Sequence, residues 1–234
     1  RVLVLYGIIK KSGQPTPNRP QSPEAATIFE TQSVEVLGQK KLLAWTVPGI
    51  AHVFAFWGFI VLGITVVEAF GELYIENFFL PIIGQWWIVL FAEDLFACLV
   101  LVGIVIFALI RLRNNPAKEG RYSRFFGSHT GAAWLVLFMI FMVVFTLLMY
   151  RGAKVNNFGD MNGAFASHWV ANILEPLGAT ANEWIETIFV LAHVSVILVF
   201  LVMGLHSKHL HIGVAPSNVM YSRRPNALGP LLPI

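Results

Sequence analysis

The sequence predicts an all-α integral membrane helical bundle with four full transmembrane helices plus the end of a truncated N-terminal one. Three observations predict it. The 234 residues are 56% hydrophobic and only 12% charged, about half the charged share of an average soluble domain, with a mean hydropathy of +0.69. Four apolar runs reach the roughly 20 residues that cross a bilayer core. Lys and Arg fall on alternate connections between those runs, as the positive-inside rule requires. The one Cys excludes an intrachain disulfide framework, and with it a cysteine-ligated iron–sulfur cluster or structural zinc.

The elements follow in order. Residues 1–10 (RVLVLYGIIK) are too short to cross alone and read as the end of a truncated transmembrane helix. Residues 11–44 read as a cytoplasmic linker and surface helix: SGQPTPNRPQSPEAAT is rich in Pro, Ser and Gln, and TIFETQSVEVLGQKKLL is a short helix. The bundle occupies 45–212, with spans at about 45–70, 86–110, 131–150 and 184–206. Pro48 sits early in the first span, where its missing N–H is tolerated. Trp45, Trp86, Trp87, Trp134, Tyr150 and Trp184 mark span ends as an aromatic belt does. The connection 151–182 is expected to hold a short helix near 164–177. Residues 213–234 read as a cytoplasmic linker to a missing domain.

Of the sixteen Lys and Arg, fourteen lie before residue 42, between the second and third spans, or after the fourth; the other two are Arg151 and Lys154. Basic segments stay in the cytoplasm. The expected topology is therefore multi-pass, with the C-terminus cytoplasmic.

Ionisable groups inside a bilayer are costly, so each needs a reason. Those in or beside the spans are His52, Glu68, Glu93, Asp94, His129, Glu186, His193, His206, His209 and His211. Two imidazoles from facing helices at one depth can ligate a haem iron, with the bundle holding the macrocycle. His52 with His211 meets that depth condition on the cytoplasmic side; His206, His209 or His129 can stand in for His211. His193 and His211 are 18 residues apart. On one helix they share a face, about 27 Å apart. Gly49, Gly58 and Gly63 would let a flat ring approach the first span. Arg121, Arg124 and Lys208 lie at the level of haem propionates.

Plainer readings stand beside these. HSKHLH (206–211) can be a basic helix end among lipid headgroups. Glu93 and Asp94, in FAEDLFA, read as a turn into the second span that pairs with Arg151 or caps helices. Glu186 lies in the first turns of the fourth span, where negative charge suits the helix dipole. Glu68, at an outer helix end, reads as solvated, and Cys98 as packing.

The segment HVSVILVFLVMGLHSKHLH (193–211) resembles the last haem helix of the gamma subunit of respiratory nitrate reductase. More closely, PGIAHVFAFWGF, RFFGSHTGAAWLVLFMIF, ANEWIETIFVLAHVSVILVFLV, LHSKHLHI and RRPNALGPLLP resemble the membrane domain of bacterial heterodisulfide-reductase-related iron–sulfur oxidoreductases. That type is associated with electron-transfer-flavoprotein dehydrogenase. The resemblance runs from about Gln39 to Ile234. It implies an inner-membrane domain that passes electrons between a cytoplasmic iron–sulfur module and menaquinone through haem b. Electron-transfer flavoprotein, reduced by acyl-CoA oxidation in fatty acid β-oxidation, would feed that module.

The resemblance also implies that 4Fe–4S clusters belong only to a domain outside this sequence. Membrane lipid and quinone are expected partners and nucleic acid is not. It implies His52 and His211 as the ligands of one haem iron and His193 as a ligand of a second. The second haem's other ligand should fall about ten residues after His52, where the chain reads Val61-Leu62-Gly63. One haem is thus expected, or two if His193 finds another partner such as Met139 or Met142. Without a second haem, His193 with Glu68 or Glu186 suits a quinone or proton site. Two other classes compete: a proton- or ion-coupled transporter, and a non-catalytic anchor for a cytoplasmic partner.

Overall fold

The computed structural model describes residues 7, 25–159, 161–205 and 210–220, and its described residues are all-α. In chain order the helices are α1 (Ala25–Thr31), α2 (Lys40–Leu43), α3 (Thr46–Val61), α4 (Gly63–Glu72), α5 (Trp87–Arg113), α6 (Pro116–Glu119), α7 (Thr130–Phe158), α8 (Phe165–Leu174), α9 (Ala179–Leu205) and α10 (His211–Met220). Two compact units result, Leu42–Phe200 and a terminal unit made of Arg1–Lys41 with Leu201–Ile234. In the terminal unit α1 runs into a π-helical turn, Gln32–Leu37. The Gln32 amide donates to the Pro216 carbonyl of α10 at 2.7 Å. Residues 213–220 of the expected linker are thus helical. The expected N-terminal helix end at 1–10 lies, apart from Gly7, outside the described residues.

Four stretches are long and apolar enough to cross a membrane: α3 with α4, the stretch led by α5, then α7, and α9. Between 17% and 28% of each spanning window is buried within the protein, so the rest needs an apolar surrounding. Val102, Val105, Leu109 and Leu112 on α5 show the pattern: exposed at intervals of three or four, they form one outward stripe. Inward, Leu62, Val100, Val144, Leu147, Tyr150 and Val190 join one core from α5, α7, α9 and the α3–α4 junction.

Small residues set the spacing of α3 and α5. A Cβ on Gly58 would meet the Val100 side chain, and one on Gly103 would sit 3.0 Å from the Ala51 carbonyl. A Cβ on Gly49 would strike the Leu42 carbonyl. Gly49 and Gly58 therefore admit protein rather than the flat ring their spacing suggested. Around Gly63 nothing lies within 4 Å of the Cβ position.

The third span is longer than its hydropathy indicates. α7 has 29 residues, or about 44 Å of helix against a hydrocarbon core of about 30 Å. Its extra turns carry Arg151 and Lys154, both buried, because α8 lies across them. The expected short helix is α8 plus a 3-10 turn at Glu175–Leu177. Gly152 is the contact: a Cβ there would overlap the Val170 side chain and lie 3.1 Å from the Ala171 amide. Gly152→Val should cost about 1–3 kcal/mol by overpacking, read as a lower Tm of the detergent-solubilised protein. A Tm equal to that of the parent would show that α8 moves freely.

Candidate functional site

The predicted haem residues divide between the units. His52 is half-buried in the second turn of α3, and His129, the residue before α7, is exposed. Arg121 and Arg124 are exposed in the connection before α7. The Arg124 guanidinium lies 5.0 Å from the ring centre of Trp45, just ahead of α3. His211 opens α10 in the terminal unit. His206, Lys208 and His209 lie outside the described residues, as does the stretch that would fix the phase of His211 relative to His193.

His193 is the most enclosed of the described histidines. It is 0% exposed on α9, its ring centre 5.5 Å from that of Tyr150. Nδ1 lies 2.9 Å from Thr146 Oγ1 on α7. The Thr146 hydroxyl has one proton and lies 2.7 Å from the Met142 carbonyl, one helical turn back. Giving its proton there, Thr146 accepts from His193 Nδ1–H. The network thus assigns the Nδ1–H tautomer, and Nε2 is left with a bare lone pair. Nε2 is buried and has no hydrogen-bond partner among the described residues. That state suits an axial ligand, whose second nitrogen is commonly held by such a bond, or a proton acceptor.

The position expected for the partner of His193 is filled with hydrocarbon. α3 stops at Val61, α4 resumes at Gly63, and Leu62 between them is buried in the core with Val190. Thr65 Oγ1 donates to the Leu62 carbonyl at 2.8 Å, which fixes the junction.

A second polar locus surrounds Arg151. Arg151 Nη1 bonds to Glu93 Oε2 at 2.8 Å and lies 3.9 Å from Glu68 Oε2; Nε lies 3.6 Å from Asp94 Oδ1. Asp94 also accepts from the Ser167 amide at 2.8 Å and the Ser167 hydroxyl at 2.9 Å. Lys154 Nζ binds Glu72 at 2.6 Å and the Phe78 carbonyl at 2.9 Å. Glu186 on α9 accepts from Asn157.

Three expectations change. Glu93 and Asp94 do pair with Arg151, but inside α5 rather than in a turn; the chain reverses earlier, over 73–86. Glu68 is 4% exposed, not solvated, because that connection folds over it and the Leu80 amide donates to Oε1 at 2.9 Å. Arg151 and Lys154, expected in the connection after the third span, are helical and buried.

No family model matches the chain. It is similar to the probable iron-sulfur-binding oxidoreductase FadF of Bacillus subtilis (strain 168), with 28% identity over 196 residues. This chain is a distant relative of that probable oxidoreductase. The match takes in 83% of this chain and 27% of FadF, so the chain spans about a quarter of FadF's length. No solved structure matches. The likeness to FadF agrees with the expected relation to iron–sulfur oxidoreductases, and the four long apolar helices agree with a membrane-type helical domain.

Sequence reasoning missed Thr146, Asn157 and Ser167, the partners of His193, Glu186 and Asp94. It also passed over His168 on α8, whose Nδ1 lies 2.7 Å from the Ala164 carbonyl. Thr146 carries a weak signal: a lone hydroxyl in an apolar span often bonds its own helix, as it also does here.

Proposed function

We propose that this chain is the membrane domain of an electron-transfer-flavoprotein:quinone-type oxidoreductase of the bacterial inner membrane. It passes electrons from a cytoplasmic iron–sulfur module, fed by electron-transfer flavoprotein from acyl-CoA oxidation, to menaquinone by way of haem b. The 4Fe–4S clusters belong to a domain outside this sequence. The observation that carries the reading is His193, a neutral imidazole with a bare, buried Nε2 inside an apolar bundle. The likeness to FadF over most of the chain supports it. The C-terminus is cytoplasmic: the two cations counted on the opposite side, Arg151 and Lys154, are both consumed in buried ion pairs, which sharpens the charge asymmetry.

His52 and His211 hold the haem iron in this reading, with Arg121, Arg124 and Lys208 toward the propionates. Haem b held there would supply one-electron transfer. Leu62 in the core where another ligand was expected supports one haem per chain. His193 is then free for quinone chemistry: Nε2 takes up a proton and donates it to a quinone oxygen as that oxygen gains electron density. Glu186 lies seven residues before His193, also buried on α9, close to two full turns along the same face.

A reduced-minus-oxidised optical spectrum of the purified protein tests this. A haem b signal at about one iron per chain is expected, absent in His52→Ala and retained in His193→Ala. A colourless preparation overturns the reading and favours a transporter or an anchor.

A further inference from the structure

We propose that Glu93 is a buried proton-binding site, its Oε1 carrying a proton within the carboxylate cluster around Arg151. Glu68 from α4, and Glu93 and Asp94 from α5, all lie within 3.9 Å of the Arg151 guanidinium. The neighbouring cation does not relieve the excess, because Lys154 is bound to Glu72. From α8 the cluster is faced by Ser167, which is neutral, and from α7 by the Tyr150 phenol beside Arg151; Glu186 on α9 is bonded to Asn157, apart from the cluster. Three ionised carboxylates beside one guanidinium would leave uncompensated charge out of water, which proteins avoid by holding protons.

The hydrogen bonds indicate which carboxyl holds it. Asp94 receives donors at both oxygens, from the Ser167 amide and from the Ser167 hydroxyl. Glu68 Oε1 receives the Leu80 amide. Glu93 Oε2 receives Arg151 Nη1, but Oε1 has no partner among the described residues, although Glu93 is 1% exposed. An oxygen with no donor is the one a proton stabilises most. Arg151 Nη2 is likewise buried without a partner among the described residues.

The proton is held whether or not haem is bound; its use as a reserve for quinone reduction rests on the reading above. Infrared spectroscopy of the whole chain in lipid vesicles at neutral pH tests it. A carbonyl stretch of a protonated carboxylic acid is expected, slow to shift on transfer to D2O. Glu93→Gln should remove that band, and Glu68→Gln and Glu186→Gln should leave it. A parent spectrum without the band overturns the proposal, and so does a band that persists in Glu93→Gln or vanishes in Glu68→Gln. If Glu93→Gln fails to insert, the parent and the other two variants still decide. Haem content does not enter this readout, so loss of the haem reading and loss of the proton site are told apart.

Discussion

Arg151→Ala should fail to accumulate as folded protein in the membrane. The side chain is 1% exposed and meets Glu93, Asp94 and Glu68 at 2.8, 3.6 and 3.9 Å, and Ser167 Oγ at 3.3 Å. Alanine removes the cation these carboxylates share and leaves uncompensated charge in a buried site. Breaking a buried pair from one side costs about 3–5 kcal/mol, against a total stability of about 5–15 kcal/mol for a typical domain. Three helices lose their common partner at once, since the bonds run from α7 to α4, α5 and α8.

Yield in the membrane fraction and Tm in detergent are the measurements. Arg151→Lys should rescue in part, because an ammonium restores the charge but not the fork of donors. Arg151→Ala with Glu68→Gln should recover some of the loss, since one orphaned charge is removed with the cation. Arg124→Ala is the contrast: its exposed contact with Trp45 is worth only about 0.5–1 kcal/mol. Parent-like yield and Tm for Arg151→Ala would show that the cluster is hydrated and not the keystone of this end of the bundle.

The four spans were legible because one property decided them. A run of apolar residues cannot stay in water, and its length then fixes how far it reaches. The ends were less legible. The third span was expected to stop at Tyr150 because Arg151 follows; in the structure α7 carries Arg151 and Lys154 on for two further turns. A cation ends a membrane helix only if nothing in the protein neutralises it, and here the neutralising acids are more than fifty residues away in sequence, at Glu72 and Glu93.

The same blindness hid Glu68, whose covering strap at Leu80 and supporting cation on α7 belong to other segments. Within one helix, spacing shows which residues share a face. Between helices it does not, so His193 was read as a candidate but its partner Thr146, forty-seven residues away, was not. The junction at Leu62 is intermediate. The missing ligand could be read at Val61-Leu62-Gly63; that Leu62 fills the core with Val190 is a matter of packing alone.

His193→Ala should lower the rate of quinone reduction by about 10²–10⁴-fold, the range that a positioned proton donor contributes, while haem content stays at the parental level. The expectation follows from tautomer rather than proximity. Thr146 gives its proton to the Met142 carbonyl at 2.7 Å and so must accept from His193 Nδ1 at 2.9 Å. Nδ1 is thereby fixed as the donor, and any proton taken up or released moves at Nε2, which faces no protein partner among the described residues.

Thr146→Val tests that step separately. Valine keeps the shape and removes the hydroxyl acceptor, so Nδ1–H is held less firmly, by the Val143 backbone alone, and the other tautomer, in which Nε2 carries hydrogen, gains population. The net loss of one hydrogen bond is about 1 kcal/mol, so the rate should fall only several-fold and the fold should persist. Turnover with a soluble menaquinone analogue, measured beside the optical spectrum, separates the possibilities. If His193→Ala loses haem together with turnover, Nε2 would be a haem ligand rather than a proton donor. If both variants turn over like the parent, the buried lone pair has no part in quinone chemistry.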